Sequence, residues 1–127
     1  MTPAAGFTTA LVVAGTGAVG CLLRWLVTLA LPTGRLPWAT LAVNALGSLA
    51  IGVCVAALAA RGLADSRLRA ALVVGLLGGF TTYSSFAFEY VDYFQRRALA
   101  SAALYVAVTL VACGLACALG IALGRRL

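Results

Sequence analysis

The chain has 127 residues, of which 64% are hydrophobic and only 9% charged. A soluble domain of this length cannot hide so much apolar surface, and soluble domains carry roughly 25% charged residues. All nine basic residues are arginines and the net charge is +6. They lie mostly between apolar runs, as loop and lipid-headgroup anchors do, so membrane lipid and not nucleic acid is the expected partner.

These numbers define an integral membrane protein, read as a single domain over residues 1–127. Four apolar runs follow in order, each near the roughly 20 residues needed to cross a bilayer. The first extends over about Phe7–Leu31 and is interrupted by Pro32-Thr33-Gly34-Arg35, a turn signal with a charge. Its flank lacks the basic region of a signal peptide, so the run is expected to stay in the mature protein. The second extends over about Leu36–Ala60 and stops at Arg61-Gly62. A polar link from Arg61 to Arg69 leads to the third, about Ala70–Val91, with Asp92, Arg96 and Arg97 beyond it. The fourth covers about Ala98–Leu123 and ends at Gly124-Arg125-Arg126.

Cysteines 21, 54, 113 and 117 sit inside these runs, with no C-x-x-C pair and no histidine in the chain. They read as small packing residues, not metal ligands or disulfides. With a cytoplasmic N-terminus, Arg61, Arg67, Arg69, Arg125 and Arg126 share one side. Arg35, Arg96 and Arg97 share the other. So slight a bias orients the chain weakly, and insertion in both directions is compatible with it. Four helices enclose little volume, whereas glycines at 17, 20, 47, 52, 75, 78, 79, 114 and 120 allow close helix contact. An oligomer is expected.

The third run contains Gly78-Gly79-Phe80-Thr81-Thr82-Tyr83-Ser84-Ser85-Phe86. Two glycines weaken a helix, and hydroxyl residues follow at once. Broken helix at membrane depth survives only when packed in protein or lining a polar path. The stretch therefore reads as an ion- or solute-handling site. Freed carbonyls there suit a small cation, while freed N–H groups and hydroxyls suit an anion. Phe80, Tyr83 and Phe86 add ring edges, which are electropositive.

Elsewhere, Thr40, Asn44 and Ser48 recur every four residues on one face of the second helix. They line a path or act as interhelical glue. Tyr105 and Thr109, with Cys113 a turn further, offer a second hydroxyl track on the fourth helix, unless Thr109 bonds its own backbone. Arg24 lies well inside the first helix, where it snorkels or faces a wet vestibule. Glu89, close to Asp92, reads first as a solvated helix end and second as a carboxylate near a pore mouth.

Gly78–Phe86 with Glu89 resembles the pattern G-G-x-T-T-[FY]-S-[ST]-F-x-x-E of the Fluc/CrcB fluoride channels. Asn44-Ala45-Leu46-Gly47-Ser48 is similar to that family's N-x-x-G-S, and Gly17 through Gly20 to Arg24 to its G-x-x-G-x-x-x-R. The resemblance covers all four helices in order. It implies an all-α membrane protein of the bacterial plasma membrane, with a broken third helix. It further implies a dual-topology antiparallel homodimer that conducts fluoride passively out of the cytoplasm by two pathways. A structural Na⁺ at the dimer axis would be held by the backbone carbonyls of Gly78 and Thr81. The implied fluoride pathway takes Asn44, Tyr83, Phe86, Tyr105 and Thr109. The neighbouring hydroxyls of Ser48, Thr82 and Ser84 join it, with Arg24 in the vestibule. Tyr83 departs from the usual phenylalanine, and Cys113 from a common hydroxyl residue.

The main alternative is a small proton-coupled multidrug transporter with four helices. That chemistry wants an ionisable carboxylate within a helix, and the first helix has none. A scaffold gives no reason for the hydroxyl cluster. An enzyme is disfavoured, with no histidine and few carboxylates.

Overall fold

The computed structural model describes residues 3–31, 34 and 36–127, with side chains from Gly6 onward except at the undescribed positions. Residues 32, 33 and 35, part of the expected turn, lie outside the described residues. Every described element is a helix. Helix α1 is Pro3–Ala30 and α2 is Trp38–Ala60. The third span, Arg67–Gln95, comes in two halves. Its first half, α3, joins Arg67–Arg69, a widened π-helical stretch Ala70–Leu77 and Gly78–Phe80. Its second half, α4, is Tyr83–Gln95, and α5 is Leu99–Gly124. Among the described residues, four stretches are long and apolar enough to cross a membrane. The protein is a multi-pass membrane protein.

Local chemistry sets the boundaries. Helix α2 closes in a Schellman turn: Leu63 N–H reaches the Leu58 carbonyl at 2.8 Å and Gly62 N–H reaches Ala59 at 3.0 Å. Gly62 supplies the left-handed residue this turn needs, at φ 69°. The same pattern ends α4, where Ala98 bonds Tyr93 and Arg97 bonds Phe94. Here Arg97 takes the left-handed position, at φ 57°. Ser66 opens α3 by accepting the Arg69 N–H at 3.1 Å.

Packing is pairwise. Helix α2 lies along α5, and α1 lies along α3. Glycines bring backbones together at both seams. A Cβ on Gly52 would strike the Cys117 carbonyl, and one on Gly120 the Leu49 carbonyl. At the other seam, Gly20 faces the Leu76 carbonyl and Gly79 faces the Gly17 carbonyl. This is the small-residue packing of helices in lipid, where apolar contact alone gives little drive to associate. Large apolar side chains such as Leu11, Leu22, Leu29, Leu115 and Leu119 point outward, as a lipid solvent permits.

Candidate functional site: a polar groove at the interrupted third span

The interruption falls at Thr81 and Thr82, not at the glycines. Gly78 is helical, at φ −64° and ψ −37°. Thr81 turns extended at ψ 159°, and Thr82 follows at φ −149° and ψ 109°. The cause is long-range. Asn44 on α2 pairs its carboxamide with the Thr82 peptide: Thr82 N–H donates to Oδ1 at 2.7 Å, and Nδ2 donates to the Thr82 carbonyl at 2.9 Å. Thr82 then caps α4, its Oγ1 accepting the Ser85 N–H at 3.2 Å. The same oxygen lies 2.9 Å from Ser85 Oγ and 3.3 Å from Ser84 Oγ.

These bonds redirect two donors. In a continuous helix Thr82 N–H would serve the Gly78 carbonyl, and Ser85 N–H the Thr81 carbonyl. Both donors go to side chains instead. Thr81 is itself held from outside, since its methyl fills the space beside Gly47 that a Cβ there would need. Among the described residues no cluster of three His, Cys, Asp or Glu side chains is available for a metal. Backbone oxygens such as those at the break are of the kind a small hard cation takes as ligands.

Around the break the structure brings Asn44, Ser48, Tyr83, Phe86 and Thr109 together in one groove, with Thr81 and Cys113. Thr109 Oγ1 is buried there without a hydrogen-bond partner among the described residues. Ser84 is exposed beside Tyr83. Phe86 is buried and anchors an aromatic cluster. Its ring centroid lies 5.7 Å from Tyr83, 5.5 Å from Tyr90 and 5.3 Å from Tyr105. The groove thus offers hydroxyl and amide donors beside tilted rings.

A second cavity holds Arg24, Thr28, Thr40, Thr82, Ser85 and Glu89. Arg24 and Glu89, of opposite charge, both line it. The Arg24 guanidinium also reaches Cys21 Sγ at 3.5 Å. Glu89 corrects the sequence reading. It is half-buried, and its two oxygens accept from Thr40 Oγ1 and Tyr105 Oη, each at 2.6 Å. The carboxylate joins α2, α4 and α5 instead of capping a solvated end. Tyr105 lies behind Phe86, only 2% exposed. The three polar residues of α2 therefore divide their tasks: Thr40 binds Glu89, Asn44 holds Thr82, and Ser48 faces the groove.

The family model for CrcB-like protein, Camphor Resistance (CrcB), matches residues 11–121. The chain is 46% identical over 121 residues to the fluoride-specific ion channel FluC of Agrobacterium fabrum, covering 93% of this chain and 96% of the relative. It is 43% identical over 114 residues to that of Sphingopyxis alaskensis, covering 87% and 90%. With that of Geobacter sulfurreducens it shares 38% over 123 residues, covering 94% and 99%. The match runs through α1, the interrupted third span and α5 alike, and on it the chain belongs to the CrcB family.

Proposed function

We propose that this protein is a passive fluoride channel that lets the ion leave the cytoplasm, with two pathways in an antiparallel homodimer. The groove beside the break carries the reading. Fluoride is small and tightly hydrated, so a path must replace its water with donors. Asn44, Ser48 and Thr109 offer such groups, and Tyr83 and Phe86 offer ring edges. Asn44 Nδ2 spends one hydrogen on Thr82 and keeps a second for an anion. The relatives' names support fluoride as the ion.

The dimer follows from what a single chain leaves in lipid. Tyr83 is 75% exposed and the polar groove lies open. Polar groups facing hydrocarbon are costly, and a second copy would cover them. The carbonyls of Gly78 and Thr81 would hold the structural Na⁺, which supplies positive charge to several oxygens at once.

One observation favours a proton-coupled transporter: Glu89 is a carboxylate inside a span. Both its oxygens are already engaged by hydroxyls from two other helices, which suits a fixed structural acceptor better than a group that cycles. Efflux from liposomes holding purified protein tests the proposal. With a potassium ionophore to relieve voltage, fluoride should leave and chloride should stay. No fluoride release above empty liposomes, from protein confirmed as folded dimer, overturns it.

A further inference from the structure

We infer that Asn44 and Thr82 are positioning residues for the cation site, because their side chains take the two N–H donors that would otherwise cover the Gly78 and Thr81 carbonyls. This rests on the central Na⁺ proposed above. It adds a second task for a residue assigned to the anion path.

Two adjacent hydrogen bonds carry the inference. Thr82 N–H goes to Asn44 Oδ1 at 2.7 Å, which withdraws it from Gly78. Ser85 N–H goes to Thr82 Oγ1 at 3.2 Å, which withdraws it from Thr81. The glycines alone do not open the helix, since Gly78 keeps helical dihedrals. The opening begins where the captured donors are. A carbonyl stripped of its donor in lipid needs another partner, and a cation can serve several. Without the Asn44 acceptor, Thr82 N–H regains the Gly78 carbonyl as its nearest alternative. The helix would then extend through the break and withdraw that oxygen. Occupancy of the cation site and the shape of the anion groove are therefore coupled through the Asn44 side chain.

The test is a Na⁺ titration of thermal unfolding for the purified full chain in detergent, with N-methylglucamine as the balancing cation. The wild type should gain stability with Na⁺. Asn44→Ala should need at least tenfold more Na⁺ for half the effect, and Thr82→Val, which keeps the shape but loses the acceptor, should do the same. Thr82→Ser retains the hydroxyl that accepts the Ser85 N–H and should stay within threefold of wild type. Leu46→Ala, on an exposed side chain of the same helix, should not change the titration. If Asn44→Ala does not fold, Thr82→Val decides alone. A wild-type response with unchanged midpoints in both Asn44→Ala and Thr82→Val overturns the positioning role and leaves the Na⁺ reading standing. A wild type indifferent to Na⁺ removes the cation site and this inference with it.

Discussion

Tyr105 Oη donates to Glu89 Oε2 at 2.6 Å, while its ring packs 5.3 Å from the Phe86 centroid. One side chain thus ties the carboxylate to the aromatic cluster. Tyr105→Phe keeps the ring and removes the bond. We expect a loss of about 1–3 kcal/mol in stability, because a half-buried acceptor is left with one donor fewer. Chemical unfolding in detergent measures it, and Thr40→Val should act in the same direction through the other oxygen.

Phe86→Ile should cut fluoride efflux at least tenfold while leaving a folded dimer. Isoleucine keeps apolar bulk but lacks the ring quadrupole, and each lost aromatic pairing is worth about 0.5–1.5 kcal/mol. Efflux and size-exclusion profiles from one preparation separate the two effects. Unchanged efflux would show the ring to be packing alone.

Neighbouring glycines should respond differently. Gly79→Ala pushes a methyl into the Gly17 carbonyl of the same chain, and overpacking of this kind costs about 1–3 kcal/mol. A Cβ on Gly78 meets only the Val73 carbonyl, at 3.6 Å. Gly78→Val should therefore spare the single-chain fold and lower the dimer fraction, read by cross-linking across a protein-concentration series. A dimer unaffected by Gly78→Val would move the subunit contact away from the break.

Arg97 occupies the left-handed position of the turn after α4. Glycine adopts that conformation freely, so Arg97→Gly should raise stability by about 0.5–1 kcal/mol after its greater unfolded-state entropy is subtracted. A thermal melt should show the gain, with efflux unchanged.

A cysteine tag at the C-terminus, in a chain whose own four cysteines are replaced, should react with impermeant reagent from both faces of sealed vesicles. Labelling from one face only would remove dual topology.

The spans were legible because apolar length is a direct reading of bilayer thickness, and α2 and α5 end within a residue of where the charges and glycines place them. The break falls inside the stretch Gly78–Phe86 that the sequence marks, but its exact residues, Thr81 and Thr82, and its cause were not legible. Gly78-Gly79 drew attention by propensity, but the donor capture that opens the chain comes from Asn44, 38 residues away from Thr82. Glu89 was obscured for the same reason. Its own neighbourhood holds Asp92 and Arg96, which do form an exposed ion pair at 2.9 Å. Its partners Thr40 and Tyr105 lie 49 and 16 residues off. Spacing along one helix shows that polar groups share a face, as with Thr40, Asn44 and Ser48, but not that each serves a different neighbour.

The two glycine seams also govern how this chain can diverge among its descendants. At Gly20, Gly52, Gly79 and Gly120 the obstacle to a methyl group is another segment's main chain, which no compensating side-chain change can remove. Such positions are frozen one by one. The outward leucines and valines are exposed on this chain, and where lipid rather than a second copy covers them they are free to exchange among themselves. Mutational drift should therefore be written on the lipid face, and the backbone seams should stay constant even where nothing about ion passage depends on them directly.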